Sequence, residues 1–189
     1  MKTLRSFIPP LAAMLMTASG GASAQGVLID KSEIRFLVAK QARGNVEGRF
    51  RKWKANVDFR PRRLADSRAA FEIDLASIDL ASEEWESQAR RPIWFDTATF
   101  PVASFASSEV RSLGGNRYEF AGTLSVKGVD KDVVVPIVLT RDSAGNSVAE
   151  GQFMLNRLEF GIGEGLVADN GGIGDEVTIR VRMVLPTVG

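Results

Sequence analysis

From Glu33 onward, hydrophobic and polar residues alternate with a period of two along most of the chain. In 33–39, Ile34, Phe36 and Val38 share one face while Glu33 and Arg35 take the other. In 55–60, Ala55, Val57 and Phe59 oppose Asn56, Asp58 and Arg60, and in 69–75, Ala69, Phe71, Ile73 and Leu75 oppose Glu72 and Asp74. The pattern returns in 118–127 (Tyr118, Phe120, Gly122, Leu124, Val126), in 149–156 (Ala149, Gly151, Phe153, Leu155) and most cleanly in 177–185. Each stretch reads as a strand with one buried and one wet face. Two further runs, 102–107 and 132–140, are apolar enough to be strands without clean alternation, and Pro136 inside the second predicts a bulge or an edge.

That makes eight strands, separated by turn signals such as Gly114-Gly115-Asn116, Gly128-Val129-Asp130-Lys131 and Ala144-Gly145-Asn146. One helix is expected between the third and fourth strands, over 82–91. Ser82 is its N-cap, Glu83 and Glu84 suit its first turn, Arg90 and Arg91 its last, and Pro92 stops it. A short helical turn is also expected from Phe50 to Lys54. No linker or internal repeat interrupts the pattern, so residues 25–189 read as one domain.

The first two dozen residues stand apart. Lys2 and Arg5 precede an apolar run from Phe7 to Ala18, and Ala22-Ser23-Ala24 forms a small-residue cleavage signal before Gln25. Residues 1–24 are therefore read as a secretory signal peptide. Taking 24 residues from 189 leaves 165, and the loss of two cations and no anions moves the net charge from +1 to −1. That balance excludes a nucleic-acid partner built on a basic surface. The chain has no cysteine and no histidine, which removes Cys and His nucleophiles and bases, Cys/His zinc sites, His-ligated haem and disulfides. An exported protein without disulfides fits a bacterial periplasm.

Eight antiparallel strands suit a sandwich or a barrel. An eight-stranded barrel is wide enough either to be filled by side chains or to hold one small ligand. The inward-facing set mixes large rings (Phe36, Phe59, Phe71, Phe120, Phe153) with small residues (Ala55, Ala69, Gly122, Ala149, Gly151). Such a mixture describes a core fitted to a taper, or an apolar cavity left where the small residues face inward. Gly122 and Gly151 in particular either mark bulges and tight corners or make room for a ligand.

The segment Ile93-Trp94-Phe95-Asp96 with Thr99-Phe100-Pro101-Val102-Ala103-Ser104-Phe105 resembles the FFD…YP…F signature of the YceI family. Phe120 through Lys131 resembles its G-x-L-T-x-x-G-V-T-K motif, and Arg157-Leu158-Glu159-Phe160-Gly161-Ile162 its R-x-D/E-F-G-I motif. Gly48-Arg49-Phe50, Ile73-Asp74, Ser77-Ile78 and Gly174 through Ile179 match in the same order. The resemblance implies an all-β, eight-stranded antiparallel lipocalin-like barrel, with the one short helix inserted. It also implies a periplasmic protein whose lumen binds a long isoprenoid or similar amphiphilic lipid for storage or transport. The ligand-binding residues expected from pattern and motifs together are Phe36, Phe71, Trp94, Phe95, Phe105, Phe120, Gly122, Phe153, Arg157 and Phe160. The partners expected are that lipid, a membrane or membrane protein met transiently, and a second copy of the chain as a homodimer. No catalytic residue, metal or cofactor is expected. Two other readings are a soluble factor in isoprenoid-quinone redox chemistry and a stress or adhesion barrel with a filled core. This chain departs from the family where a D-x-H-L segment often precedes the FFD motif: here Trp85 to Pro92 contains no histidine. Ser125 and Asp130 stand where the family has threonines.

Several constellations carry two readings each. Trp85, Trp94 and Phe95 either form a lid over the barrel mouth or dock the helix on the barrel end. Arg157 either meets an anionic head group or pairs with Asp96 or Asp175. Glu83, Glu84 and Glu86 read as a solvated helix face, with 83 and 86 on one side. Arg90-Arg91 reads as a helix-end pair of cations, and Arg60-Pro61-Arg62-Arg63 as a polar turn. The glycine-rich stretches 161–165 and 170–174 read as flexible loops, since neither has the phosphate-loop context.

Overall fold

The computed structural model describes residues 26–40, 44–164 and 172–186. The expected signal peptide, residues 1–24, lies outside them. The described residues form ten strands: β1 (Glu33–Lys40), β2 (Gly44–Phe50), β3 (Trp53–Asp58), β4 (Arg68–Asp74), β5 (Ile78–Asp79), β6 (Val102–Gly114), β7 (Arg117–Val126), β8 (Val129–Arg141), β9 (Ser147–Asn156) and β10 (Ile173–Leu185). One α-helix, α1 (Glu83–Ala89), stands between β5 and β6. The strands make one sheet in the order β3-β4-β6-β7-β8-β9-β10-β1-β2-β5. Its ladders are antiparallel throughout.

Ten strands replace the eight expected, and the two additions have different causes. In β2, Val46, Gly48 and Phe50 point one way and Asn45, Glu47 and Arg49 the other. The alternation is intact, but its central inward position is a glycine, which reads as a break. β5 is two residues long and too short to carry any period. The helical turn expected from Phe50 to Lys54 is absent: Phe50 ends β2 and Trp53 begins β3, with Arg51 and Lys52 bending between them. The helix itself is shorter than 82–91. The Ser82 side chain accepts from the Trp85 N–H as N-cap, and the last helical residue is Ala89.

Pro136 lies in an interior strand, yet it sits where one of the two ladders stops. β8 pairs with β7 from Val129 to Val138, whereas its pairing with β9 begins only at Ile137. The missing N–H of Pro136 therefore costs no ladder bond to β9.

Closure follows from the chain path. β2 and β3 are separated by two residues but stand near opposite ends of the strand order, so the sheet must curl until its edges meet there. The edges are joined without a ladder. Arg51 N–H donates to the Ser77 carbonyl, Lys52 N–H to Ser77 Oγ, and Asp74 N–H to the Lys52 carbonyl. The result is a curled half-barrel stitched at one corner. Inward side chains form two buried clusters, one including Val57, Val110, Phe120, Ile137 and Leu185, the other Leu75, Leu124, Val126, Phe160 and Ile162.

Candidate functional site

Between and around these clusters the half-barrel encloses a cavity of about 360 Å³. Among the described residues that line it, Gln88 and Arg157 are the only ones without an apolar or aromatic side chain. The wall follows from period two: in strand after strand the inward residue is Phe, Val, Ile, Leu or Ala. Aromatic contacts fix it. Phe36 lies 5.7 Å from Phe50, Phe50 meets Phe95 edge-on at 6.2 Å, and Phe71 lies 6.3 Å from Phe105.

Nine of the ten residues expected to touch a ligand line this cavity: Phe36, Phe71, Trp94, Phe95, Phe105, Phe120, Phe153, Arg157 and Phe160. Gly122 does not. A Cβ on Gly122 would stand 2.3 Å from the Ala106 carbonyl oxygen and 2.7 Å from Ser107 Cα. Facing it, the β6–β7 register slips between Ser107 and Glu109, which is a β-bulge that brings the backbones together. Gly151 is also crowded, its Cβ position being 2.5 Å from Ile137 Cδ1 and 2.6 Å from the Pro136 carbonyl oxygen. Both glycines serve close backbone approach and leave no room for a ligand. The glycine that shapes the cavity is Gly48, opposite Phe36, which sequence reasoning passed over.

Helix α1 supplies one side of the cavity. Trp85, Gln88 and Ala89 share a helix face at spacings of three and four and line it together with Leu80. Trp85 is nevertheless 41% exposed, so it meets both the cavity and solvent. The helix is anchored by Glu86, which is buried rather than part of a solvated face as the sequence suggested. Its carboxylate accepts from Arg51 Nη2 and the Leu80 N–H at 3.3 Å each and from Arg90 Nη2 at 3.4 Å. Arg51 also reaches Asp79 at 2.9 Å, and Arg49 donates to the other Asp79 oxygen at 2.9 Å. Hydrogen bonds from Arg49, the Ala81 N–H and Arg51 hold the Asp79 carboxyl at a pKa of about 2, down from 3.8.

The stretch after α1 is pinned separately. Lys127 Nζ donates to the carbonyls of Pro92 and Gly161, and Gly163 N–H donates to the Ile93 carbonyl. Trp94 is thereby held beneath Arg157, whose guanidinium lies 5.6 Å from the ring centroid. Arg157 is 3% exposed and each of its three nitrogens donates a hydrogen bond. Nε bonds the Gly174 carbonyl at 2.9 Å, Nη1 the Ile162 carbonyl at 2.7 Å, and Nη2 the Ile173 carbonyl at 3.3 Å and Asp175 Oδ1 at 2.7 Å. Of its two expected partners, Asp175 is the one it meets. Residues 161–164 are not a flexible loop: Gly161 caps a 3-10 turn in the left-handed conformation, and Ile162 and Gly163 are buried against this clamp. Residues 165 and 170–171 of the glycine-rich stretches lie outside the described residues.

Comparison with known proteins agrees with this geometry. The YceI-like domain profile matches residues 27–185. A UPF0312 protein of Azotobacter vinelandii is 28% identical over 156 residues, covering 78% of this chain and 81% of its own. The crystal structure of BcnA from Burkholderia cenocepacia superposes with a TM-score of 0.78 at 34% identity, over 84% of this chain and 98% of that one. A polyisoprenoid binding domain from Saccharophagus degradans, implicated in plant cell wall breakdown, shares the fold with a TM-score of 0.67 at 15% identity, over 86% and 97%.

Proposed function

This chain belongs to the YceI-like domain family, and from that premise we propose that it is an exported, non-catalytic protein that holds one long-chain isoprenoid or related amphiphilic lipid in its lumen, storing or carrying it. The observation that carries the proposal is the cavity of about 360 Å³ with its almost wholly apolar wall. Left without a ligand, so large an apolar wall faces water or empty space and forgoes the burial and contacts of a filled core. An apolar ligand removes that burden and gains ~0.8 kcal/mol for each methylene taken from water. The fold shared with the polyisoprenoid binding domain of Saccharophagus degradans supports the ligand class. A lipid of this kind reaches the lumen through brief contact with a membrane or a membrane protein, because its solubility in water is negligible. Its entrance is assigned beside Trp85, the lining residue that also faces solvent.

Native mass spectrometry of the protein extracted mildly from a periplasmic fraction tests the reading. A co-purifying isoprenoid-type lipid at one per chain is expected, on a protein whose N-terminus reads Gln25-Gly26-Val27. Consistent recovery of an empty chain, or of material that begins at Met1, would overturn the binding and the export proposals respectively.

A further inference from the structure

The apolar cavity ends on a partition, with space on both sides of it. A second hollow of about 370 Å³ lies where β3, β8 and β10 end and β9 begins. Phe59, Leu139 and Leu185 belong to the walls of both hollows. The second hollow differs in chemistry, since Thr140, Arg141 and Ser147 contribute to its lining. A side chain with open space on two faces is a wall one residue thick. Phe59 is held in that position by other rings, meeting Tyr118 edge-on at 5.0 Å and Phe120 at 6.0 Å. Leu185 is buried, and Leu139 is half-buried between β7 and β9.

Members of an isoprenoid series differ by repeats of one apolar unit, so a cavity that selects among them selects length. We infer that Phe59, Leu139 and Leu185 set the longest apolar chain this protein accepts, and that the second hollow receives a longer chain only when that partition is opened. The inference rests on the lipid-binding reading above. It gives three side chains a specificity role that their packing alone does not reveal: beyond them lies a shallower, partly polar hollow open to solvent, which the end of a longer chain reaches only once they are cut back.

Prenyl alcohols from farnesol to solanesol, titrated into the purified protein, give the test. Affinity rises with each added unit until the partition is reached and then levels off. In Phe59→Ala and in Leu139→Ala the levelling point moves to a longer alcohol. Binding of that alcohol strengthens by roughly tenfold or more, because two additional buried methylenes already supply such a factor. Farnesol, too short to pass the partition, shows no such gain. Leu139→Ala leaves the Phe59–Tyr118–Phe120 stack untouched, so it carries the test if Phe59→Ala melts too early to measure. Folded variants with the unaltered length profile would overturn the partition and leave the lipid reading standing. Failure of the unaltered protein to bind an alcohol of any length would overturn both.

Discussion

Phe36 and Gly48 stand opposite each other across the β1–β2 ladder, and the Phe36 ring occupies the space a Gly48 side chain would need. Its Cζ lies 2.3 Å from the position of a Gly48 Cβ, with Leu80 Cδ2 2.9 Å away. The absence of a side chain on Gly48 lets the ring pack over β2 as part of the cavity wall. Gly48→Ala is expected to push Phe36 towards Phe50 and narrow the cavity. Lipid binding should weaken by about 1–3 kcal/mol, the usual scale of overpacking, with a smaller effect on the melting temperature of lipid-free protein. Isothermal titration beside thermal melting checks both; unchanged affinity sinks the idea.

Gly122 behaves differently because backbone surrounds it. The atoms a Cβ would meet are the Ala106 carbonyl and Ser107 Cα at the β6 bulge, which cannot rotate away. Gly122→Ala should therefore destabilise the protein by about 1–3 kcal/mol while the remaining folded molecules keep their lipid affinity. Selective loss of lipid from a protein of undiminished stability would return Gly122 to the cavity wall.

Arg157 lines the cavity but faces away from it chemically. Its charge is answered by Asp175 and by the carbonyls of Ile162, Ile173 and Gly174. Arg157→Gln should cost about 1–3 kcal/mol through acceptors left without a donor. Asp175 adds little to that cost, since its side chain is 52% exposed and water replaces the guanidinium. A phosphorylated and a neutral prenyl lipid of equal length should weaken equally. Selective loss of the phosphorylated lipid would show the guanidinium reaching a head group.

The strands were legible wherever inward positions carry bulk, as in β10, where Val177, Ile179, Val181, Met183 and Leu185 leave no ambiguity. They were illegible where the inward residue has no side chain, as at Gly48, or where two residues suffice, as in β5. The rings of the site could be read from the same alternation, and the motif around Trp94 and Phe95 added two that alternation misses. What the chain could not disclose is which contacts arise from distant segments. Glu86 looks like its neighbours Glu83 and Glu84 until Arg51, thirty-five residues away, is placed beside it. Lys127 is one of seven lysines until Pro92 and Gly161 converge on it. The spare room in the lumen is a sum over all strands, and no single strand carries it.

Acid should loosen the anchor of α1. Asp79 carries a pKa of about 2 in the folded protein against a usual value of 3.8, through Arg49 first, then the Ala81 N–H and Arg51. A carboxylate depressed on folding contributes stability that is complete above its unfolded pKa and is lost as pH falls through the folded value. The contribution of Asp79 is therefore constant from neutrality down to about pH 4 and disappears between there and about pH 2. Asp58, Glu109 and Asp142 are also held low by their partners, so the acid response of the whole protein has several sources. Asp79→Asn isolates one. At pH 7 the variant should melt below the parent, and the gap should shrink on acidification as the parent loses what the variant already lacks. Because Arg51 joins Asp79 to Glu86, the same acid range should raise Trp85 fluorescence quenching by a soluble quencher in the parent, as α1 swings from the opening. A melting gap that stays constant from pH 7 to pH 2 would show that Asp79 does not anchor the helix through its charge.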